Sequence, residues 1–318
     1  MSLLVPNVRD HADAHEDLDQ DELYYESRDK LKNSSTSKAN FPSPLPWDFE
    51  PVRGFFRQTS EETNDMAFNY ASEDFGILKP WDQIIDELAS LNSTAPENVQ
   101  YKLLFLARHG QGWHNIASQR YPKEEWFSKW RYLGTDGEVT WGPDAKLTDL
   151  GKAQAKENCQ VWSSQLSKGA PLPSKFYVSP LSRSIDTLQL TWEGKPIPRP
   201  LVIEDLRETI GIHLCHQRLS KSQLEKNYPQ LDFDSDFPGT DELAEKYSKT
   251  REALHEQFLR VDGVLQRLFD QDDGSVISIT SHAGTIRSFI TVIGHRKFTI
   301  PTGGMIPIVV KGTRKQSL

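Results

Sequence analysis

Arg108, His109 and Gly110 follow an apolar run, residues 101–107, that is typical of a buried strand. A guanidinium can spread positive charge over the oxygens of a phosphoryl group, and a neutral imidazole nitrogen can attack phosphorus. Asn115 comes shortly afterwards, in the string Arg-His-Gly-Gln-Gly-Trp-His-Asn. Three residues match by chance in many chains, so the chemistry that this motif indicates depends on partners elsewhere in the sequence.

Three further segments place chemically active residues just after an apolar run. Arg183 lies in Ser-Pro-Leu-Ser-Arg-Ser-Ile-Asp-Thr, Glu208 ends Leu-Arg-Glu, and His282 lies in Ser-His-Ala-Gly-Thr-Ile-Arg. Ligands collect outside the carboxyl ends of the strands of an open α/β sheet, so we expect two histidines, two arginines and one carboxylate to meet at one edge. Gly110 and Gly284 are expected to allow a close approach of the backbone.

The elements that must position these residues alternate between strand and helix. The predicted strands are 102–107, 175–178, 201–204, 276–280 and 306–311, and the predicted helices are 81–91, 145–167, 181–192, 221–228, 241–270 and 285–293. The aromatic residues Trp113, Trp126, Trp130 and Trp141 fall in an insertion, where a core role is favoured over stacking on a substrate. One α/β domain with a cap-like insertion is the simplest architecture.

The order of the four motifs resembles the histidine phosphatase superfamily, also called phosphoglycerate-mutase-like, and in particular its fungal phosphomutase-like branch. The resemblance runs from about residue 47 to residue 311. It implies a three-layer α/β/α sandwich around a mostly parallel sheet, phosphoglycerate-mutase-like, with a cap insertion.

The resemblance also implies a role for each matching residue. His109 would be the nucleophile, while Arg108 and Arg183 would bind the phosphate oxygens. His282 would donate to the same oxygens and stabilise the charge in the transition state. Glu208 would be the general acid and then the general base, with its pKa raised by a partly desolvated pocket.

Each of these residues also has a simpler explanation. His109 could be a core histidine, His282 a helix cap, and Glu208 an acid paired with Arg207 at the surface. Asn115 is predicted to contact the phosphate, and its alternative is an N-cap of the next helix. The joint occurrence of four motifs in order favours the catalytic roles.

We therefore expect a metal-independent phosphatase that hydrolyses small phosphate monoesters through a phosphohistidine and needs no cofactor. His213, Cys215 and His216 have side chains of the kind that bind metals. Structural zinc sites, however, use four ligands at wider spacing, so no metal site is predicted.

Two other functions stay open. A phosphoglycerate mutase uses the same pocket but returns the phosphoryl group to its substrate. The chain departs from the mutase pattern at 111–115 and at 209–213, and the basic residues that hold a substrate carboxylate have no clear counterpart. A non-catalytic interaction module is favoured only by the acidic N-terminal segment.

Composition and net charge limit the classes of molecule that this chain is expected to bind. The chain has 318 residues, of which 36% are hydrophobic, enough for one sizeable core. A net charge of −8 disfavours nucleic acid, and no stretch is apolar enough to cross a membrane, so a small phosphorylated metabolite is the expected partner. Two cysteines and no recognisable signal peptide indicate the cytoplasm, with the nucleus as a further location. The oligomeric state stays open.

The N-terminal residues differ from the rest of the chain. Residues 1–45 combine an acidic run with a polar stretch that has no hydrophobic periodicity, so a disordered tail without a packing face is predicted. Residues 46–318 are predicted to form the catalytic domain, including the cap and a proline-rich extended segment, residues 42–51.

Overall fold

The computed structural model describes residues 2–15, 20–32 and 45–315. A seven-stranded sheet forms the centre of this structure. Its strands are β1 (Trp47–Pro51), β2 (Val99–Arg108), β3 (Lys175–Val178), β4 (Leu201–Val202), β5 (Asp232–Phe233), β6 (Val276–Ser281) and β7 (Met305–Arg314). The spatial order is β1-β7-β2-β6-β3-β4-β5. The strands from β2 to β5 pair in parallel, and β7 is antiparallel to both of its neighbours.

Helices cover both faces of this sheet. They are α1 (Val8–His15), α2 (Gln20–Lys32), α3 (Trp81–Thr94), α4 (Trp113–Arg120), α5 (Lys123–Ser128), α6 (Asp149–Ser167), α7 (Ser182–Thr191), α8 (Lys221–Asn227), α9 (Glu242–Lys246), α10 (Leu254–Gln271) and α11 (Ala283–Ile293). Right-handed crossovers place α6 and α7 on one face and α10 on the other, because the chain crosses the sheet in opposite directions in these two halves. The predicted three-layer α/β/α fold with a mostly parallel sheet is confirmed.

The apolar composition of β2 follows from its place in the centre of the sheet. The side chains of residues 103–106 are fully buried, as expected for a strand with helices on both faces. Phe105 packs against Trp81 of α3 and Trp162 of α6, and Phe75 joins the same aromatic cluster. This packing fixes the end of β2, where the first motif begins.

The cap insertion has a small core of its own. Trp126 and Trp141 are buried there with Cys215, and Trp130 packs against them. The predicted core role is therefore confirmed for these three tryptophans. It is wrong for Trp113, which is 37% exposed.

Two predicted helices have different limits. The predicted helix 241–270 is divided into α9 and α10, because the intervening backbone bonds to another segment: Ile212 N donates to Tyr247 O, and Glu252 N donates to Ile210 O. The predicted helix 145–167 begins only after Thr148, whose hydroxyl accepts the backbone N–H of Gly151 as an N-cap.

The N-terminal segment carries the largest correction. The prediction that it lacks a packing face is wrong for α1 and α2. Tyr24 and Arg28 of α2 are buried, and both donate to the carboxylate of Asp262, which is completely buried in α10. The acidic and polar residues of this segment at 16–19 and 33–44 lie outside the described residues, and the predicted domain boundary after residue 45 stays a prediction.

The proline-rich segment continues into the sheet as an edge strand. β1 pairs with β7 from Trp47 opposite Arg314 to Pro51 opposite Val310. Edge strands tolerate proline because one row of their N–H groups needs no partner in the sheet. Within the described part of the chain, no helix combines the length and apolarity needed to span a membrane.

We predict that Arg28→Ala lowers the free energy of unfolding by about 3 kcal/mol, because it leaves the buried Asp262 carboxylate without its cation. Chemical denaturation measures this change. Lys30→Ala on the same helix is the control: its ion pair with Glu26 is exposed, so a change below about 0.5 kcal/mol is expected. Equal effects of the two substitutions would show that α2 is not docked on α10.

Candidate active site

The parallel pairing of β2 with β6 brings the two predicted histidines together. Arg108 lies opposite Ser281 at the carboxyl ends of these strands, and the backbone N–H of His109 donates to Ser281 O at 3.0 Å. The imidazole rings of His109 and His282 consequently lie edge to face, with their centroids 5.0 Å apart. The two motifs, far apart in sequence, form one site.

His109 is held in a form that suits nucleophilic attack. Its Nδ1 lies 2.7 Å from the carbonyl oxygen of Gly110, which only an N–H can satisfy. The other nitrogen, Nε2, therefore carries the lone pair, and it accepts from Arg183 Nε at 3.3 Å. Burial and the positive charges of Arg183 and Arg108 hold the pKa of His109 well below its usual range, so the ring is neutral.

Arg183 reaches this site from the first turn of α7. The helix start is fixed by Asp144, whose carboxylate accepts from the backbone N–H and the hydroxyl of Ser182. The Arg183 guanidinium is completely buried and also donates to Cys215 O at 3.0 Å. Its Nη2 has no hydrogen-bond partner in the described part of the chain. A buried donor of this kind suits a phosphate oxygen.

His282 is oriented from the end of β3. Its Nε2 lies 2.7 Å from the hydroxyl of Ser179, while its Nδ1 has no partner among the described residues. Burial, together with the charge of Arg183, holds the pKa of His282 well below its usual range. With the Ser179 hydroxyl donating to Nε2, the neutral ring carries its hydrogen on Nδ1 as a donor for a ligand. His282 also occupies the N-cap position of α11, but its side chain makes no capping hydrogen bond there, so helix capping does not explain it.

Glu208 faces the same pocket but differs from the prediction in its electrostatics. Burial alone would raise its pKa, but the backbone N–H of Thr209 and the charges of Arg287 and Arg183 lower it below its usual range. The backbone N–H of Gly284, in the first turn of α11, adds a donor at 3.3 Å. The expected raised pKa is therefore wrong for the free pocket, where Glu208 is a carboxylate.

Arg207 does not pair with Glu208. Its guanidinium donates to Glu204 and to both carboxylate oxygens of Asp241. The alternative explanation of Glu208 as one half of a surface pair with Arg207 is thus wrong, and Glu208 lines the pocket instead.

The two glycines of the motifs are needed for close packing. A Cβ at Gly110 would collide with the backbone oxygen of Gly151, and one at Gly284 would collide with the carboxylate of Glu208. Asn115 lines the pocket, and its side-chain oxygen accepts from the backbone N–H of Gly112 at 2.9 Å. The side chain of Asn115 thus helps to cap α4, and its predicted contact with phosphate stays a prediction.

The pocket has a volume of about 590 Å³. Arg108, His109 and Glu208 line it, and Arg183 and His282 are buried against His109. The structure thus brings together all five residues of the predicted catalytic set. Two guanidinium groups around a neutral imidazole are an arrangement that suits a phosphoryl group.

The family model of the histidine phosphatase superfamily (branch 1) matches residues 104–300. This chain belongs to the histidine phosphatase superfamily.

Relatives of known sequence support this membership over most of the chain. A protein of Arthroderma benhamiae named "Probable phosphoglycerate mutase" is 35% identical over 284 residues, which cover 83% of this chain and 84% of the relative. Phosphomutase-like protein 3 of Candida albicans is 37% identical over 243 residues, covering 75% of this chain and 72% of the relative. Among solved structures, a mycobacterial glucosyl-3-phosphoglycerate phosphatase aligns with 21% identity and a TM-score of 0.36, over 59% of this chain and 79% of that chain.

Sequence reasoning did not assign several residues to this pocket. The pocket is also lined by Arg9, Asp13, His114, Lys123, His213, His216, Arg251 and Arg287. Only His114 and Arg287 stand inside the motifs themselves. The others come from α1, α5 and the segments before and after α8, and no local pattern distinguishes them from surface residues.

His213 and His216 line the same pocket as His109 and Glu208. Their rings stack with centroids 5.1 Å apart, and His216 Nδ1 lies 2.7 Å from Thr209 O. Among the described residues, one group has ligand atoms close enough together to hold a metal ion. It lies outside this pocket and consists of His11, His15 and Asp65.

The buried neutral histidines predict a steep pH dependence of stability. The pKa values of His109, His216 and His282 lie well below their usual range in the folded state, with burial as the main cause. As the pH falls below about 6.5, the unfolded chain binds protons that the folded state does not. Each histidine should then lower the free energy of unfolding by up to about 1.4 kcal/mol per pH unit.

Denaturation curves between pH 7 and pH 5 measure this loss. His282→Asn should remove one histidine's share of the slope. Saturating inorganic phosphate should reduce the slope in the unchanged protein, because an anion raises the histidine pKa values. A stability that does not change over this range would contradict the neutral buried state.

Proposed function

We propose that this protein is a metal-independent phosphatase that hydrolyses small phosphate monoesters through a phosphohistidine at His109. The observation that carries the proposal is the environment of His109: a neutral ring whose Nε2 faces Arg183 inside a cationic pocket. The complete cluster disfavours a non-catalytic interaction module, because such proteins gain nothing from keeping every reactive group. A cytoplasmic and nuclear location and a small phosphorylated metabolite as partner remain proposals.

In the first half of the reaction, His109 Nε2 attacks phosphorus as the bond to the leaving oxygen breaks. Arg108, Arg183 and the Nδ1–H of His282 donate to the non-bridging oxygens, where charge accumulates. The leaving oxygen needs a proton, and Glu208, one of the two carboxyl groups among the described residues that line the pocket, is the proposed donor.

The low pKa of Glu208 affects its roles as general base and as general acid differently. As a carboxylate it can accept a proton from the water that attacks phosphohistidine. As an acid it must first be protonated, and the negative charge of a bound phosphate ester raises its pKa in that direction. Glu208 therefore takes up a proton when the substrate binds and gives it to the leaving oxygen. The water that attacks phosphohistidine then supplies a new proton to Glu208.

A mutase is the second candidate, and one observation favours it. Arg9, Lys123, Arg251 and Arg287 line the same pocket as the phosphate site. In mutases, basic residues hold the substrate carboxylate, and these four cations could take that part although they do not stand at the matching positions of the sequence. They suit a substrate with a second anionic group, as the names of the fungal relatives suggest for those proteins.

The products decide between the two candidates. With 3-phosphoglycerate and a trace of its bisphosphorylated form, we expect release of inorganic phosphate and little 2-phosphoglycerate, because water reaches the phosphohistidine.

Strong chelators should leave this release unchanged. His109→Ala should abolish both phosphate release and acid-labile phosphorylation of the protein. Isomerisation faster than phosphate release would establish the mutase, and turnover by His109→Ala would exclude the phosphohistidine.

Glu208→Gln separates proton transfer from nucleophilic attack. An alkyl phosphate has a poor leaving group, so its hydrolysis should fall about 100- to 10,000-fold. An aryl phosphate needs little protonation, so transfer to His109 should continue and then stall at phosphohistidine. A burst of aryl alcohol followed by slow turnover is expected in rapid-mixing experiments. Equal losses for both substrates without a burst would mean that Glu208 is not the proton shuttle.

A further inference from the structure

Helix α1 lies outside the region that the family model matches, yet it forms one wall of the phosphate pocket. Arg9, Ala12 and Asp13 line the cavity beside Arg108 and Glu208. The acidic N-terminal segment therefore contributes part of the wall of this pocket.

The first acidic side chain of α1, Asp10, is buried against the phosphate-binding arginine. Its Oδ1 accepts from Arg108 Nη1 at 2.7 Å, and the same nitrogen donates to the carbonyl oxygen of Ile300 at 2.8 Å. The second oxygen, Oδ2, accepts from the backbone N–H of Asn7 at 3.0 Å. Both side chains of the pair are 4% exposed or less. Asp10 therefore occupies one nitrogen of Arg108 and fixes the direction in which the other two point.

The second acidic side chain, Asp13, faces the nitrogen that Asp10 leaves available. Its Oδ2 lies 3.5 Å from Arg108 Nη2, and its side chain is 42% exposed towards the pocket and solvent. Burial and the neighbouring charge of Glu208 raise the pKa of Asp13, while Arg108 opposes them. Its carboxylate is thus a loosely held anion at a place where a phosphate oxygen would bind.

The position of α1 is fixed independently of Arg108. His15 Nε2 lies 2.8 Å from Asp65, and His11 Nδ1 lies 3.2 Å from the hydroxyl of Thr299. On the pocket side, Arg287 donates to the backbone oxygen of Asp13 at 2.7 Å. The two carboxylates are therefore presented by a helix that is anchored on both sides.

We propose that α1 sets the phosphate affinity of the pocket through two carboxylates with opposite effects. Asp10 is a positioning residue that aims Arg108 at the phosphoryl group. Asp13 is an internal competitor that a phosphate oxygen must displace from Arg108 Nη2. The inference rests on the proposed function only in requiring that this pocket binds a phosphoryl group.

The test compares inorganic phosphate as a competitive inhibitor of the unchanged protein and of matched variants. Asp10→Asn should raise the inhibition constant and the KM about tenfold or more, because a misdirected clamp loses its geometry. Asp13→Asn should lower both constants about threefold, because a partly exposed like charge is removed. Asp13→Ala should do the same, which separates loss of charge from a new amide donor. Glu22→Gln, an exposed site on α2, removes one negative charge elsewhere and should change neither constant.

The signs of these changes decide the outcome. A general loss of structure would weaken binding in all variants of α1, whereas the proposal requires Asp10 and Asp13 variants to move in opposite directions. Thermal unfolding identifies an Asp10→Asn protein that does not fold, and in that case the two Asp13 variants decide alone. Unchanged or weaker phosphate binding in both Asp13 variants overturns the proposal. A wild-type protein that shows neither phosphate binding nor ester turnover would instead overturn the proposed function.

Discussion

The parallel pairing between β2 and β6 is the constraint on which the site depends. It places Arg108 opposite Ser281, and the next residue on each strand is a histidine. Both rings are then buried at the sheet edge. Burial is the main reason that their pKa values are low, and the charge of Arg183, which lowers both pKa values further, also attracts an anion. The pocket therefore combines a neutral His109 with an attraction for anions. A protonated His109 would lose its free lone pair while attracting an anion more strongly.

The site and the chain as a whole have opposite electrostatics. The net charge is −8, yet the pocket gathers Arg108 and Arg183 with four further cations on its walls. The charges of Arg108 and Arg183 are buried, and buried charges are screened less by salt than charges at the surface. The net charge of the whole chain therefore carries no information about the ligand of the pocket.

The sequence predicted those parts of the fold and site that depend on local pattern. Each motif residue follows an apolar strand, and the rule for parallel sheets suffices to place such residues at one edge. The low pKa of Glu208 could not be predicted in this way. The backbone N–H of the adjacent Thr209 lowers it, but so do the charges of Arg287 and Arg183, which lie in other parts of the chain. The single helix expected at 241–270 failed for a related reason: backbone bonds to residues 210 and 212 outweighed helical periodicity.

The acidic N-terminal segment shows why composition alone was misleading. Asp10, which composition places among solvated charges, is buried because Arg108 satisfies it. A pocket that hydrolyses phosphate esters must also release phosphate, and strong clamping by two arginines would retain this product. Negative charge supplied by Asp13 and Glu208 on the same wall opposes that retention. In the proposed phosphatase, the carboxylates of α1 would therefore affect both the binding of a substrate and the release of its phosphate.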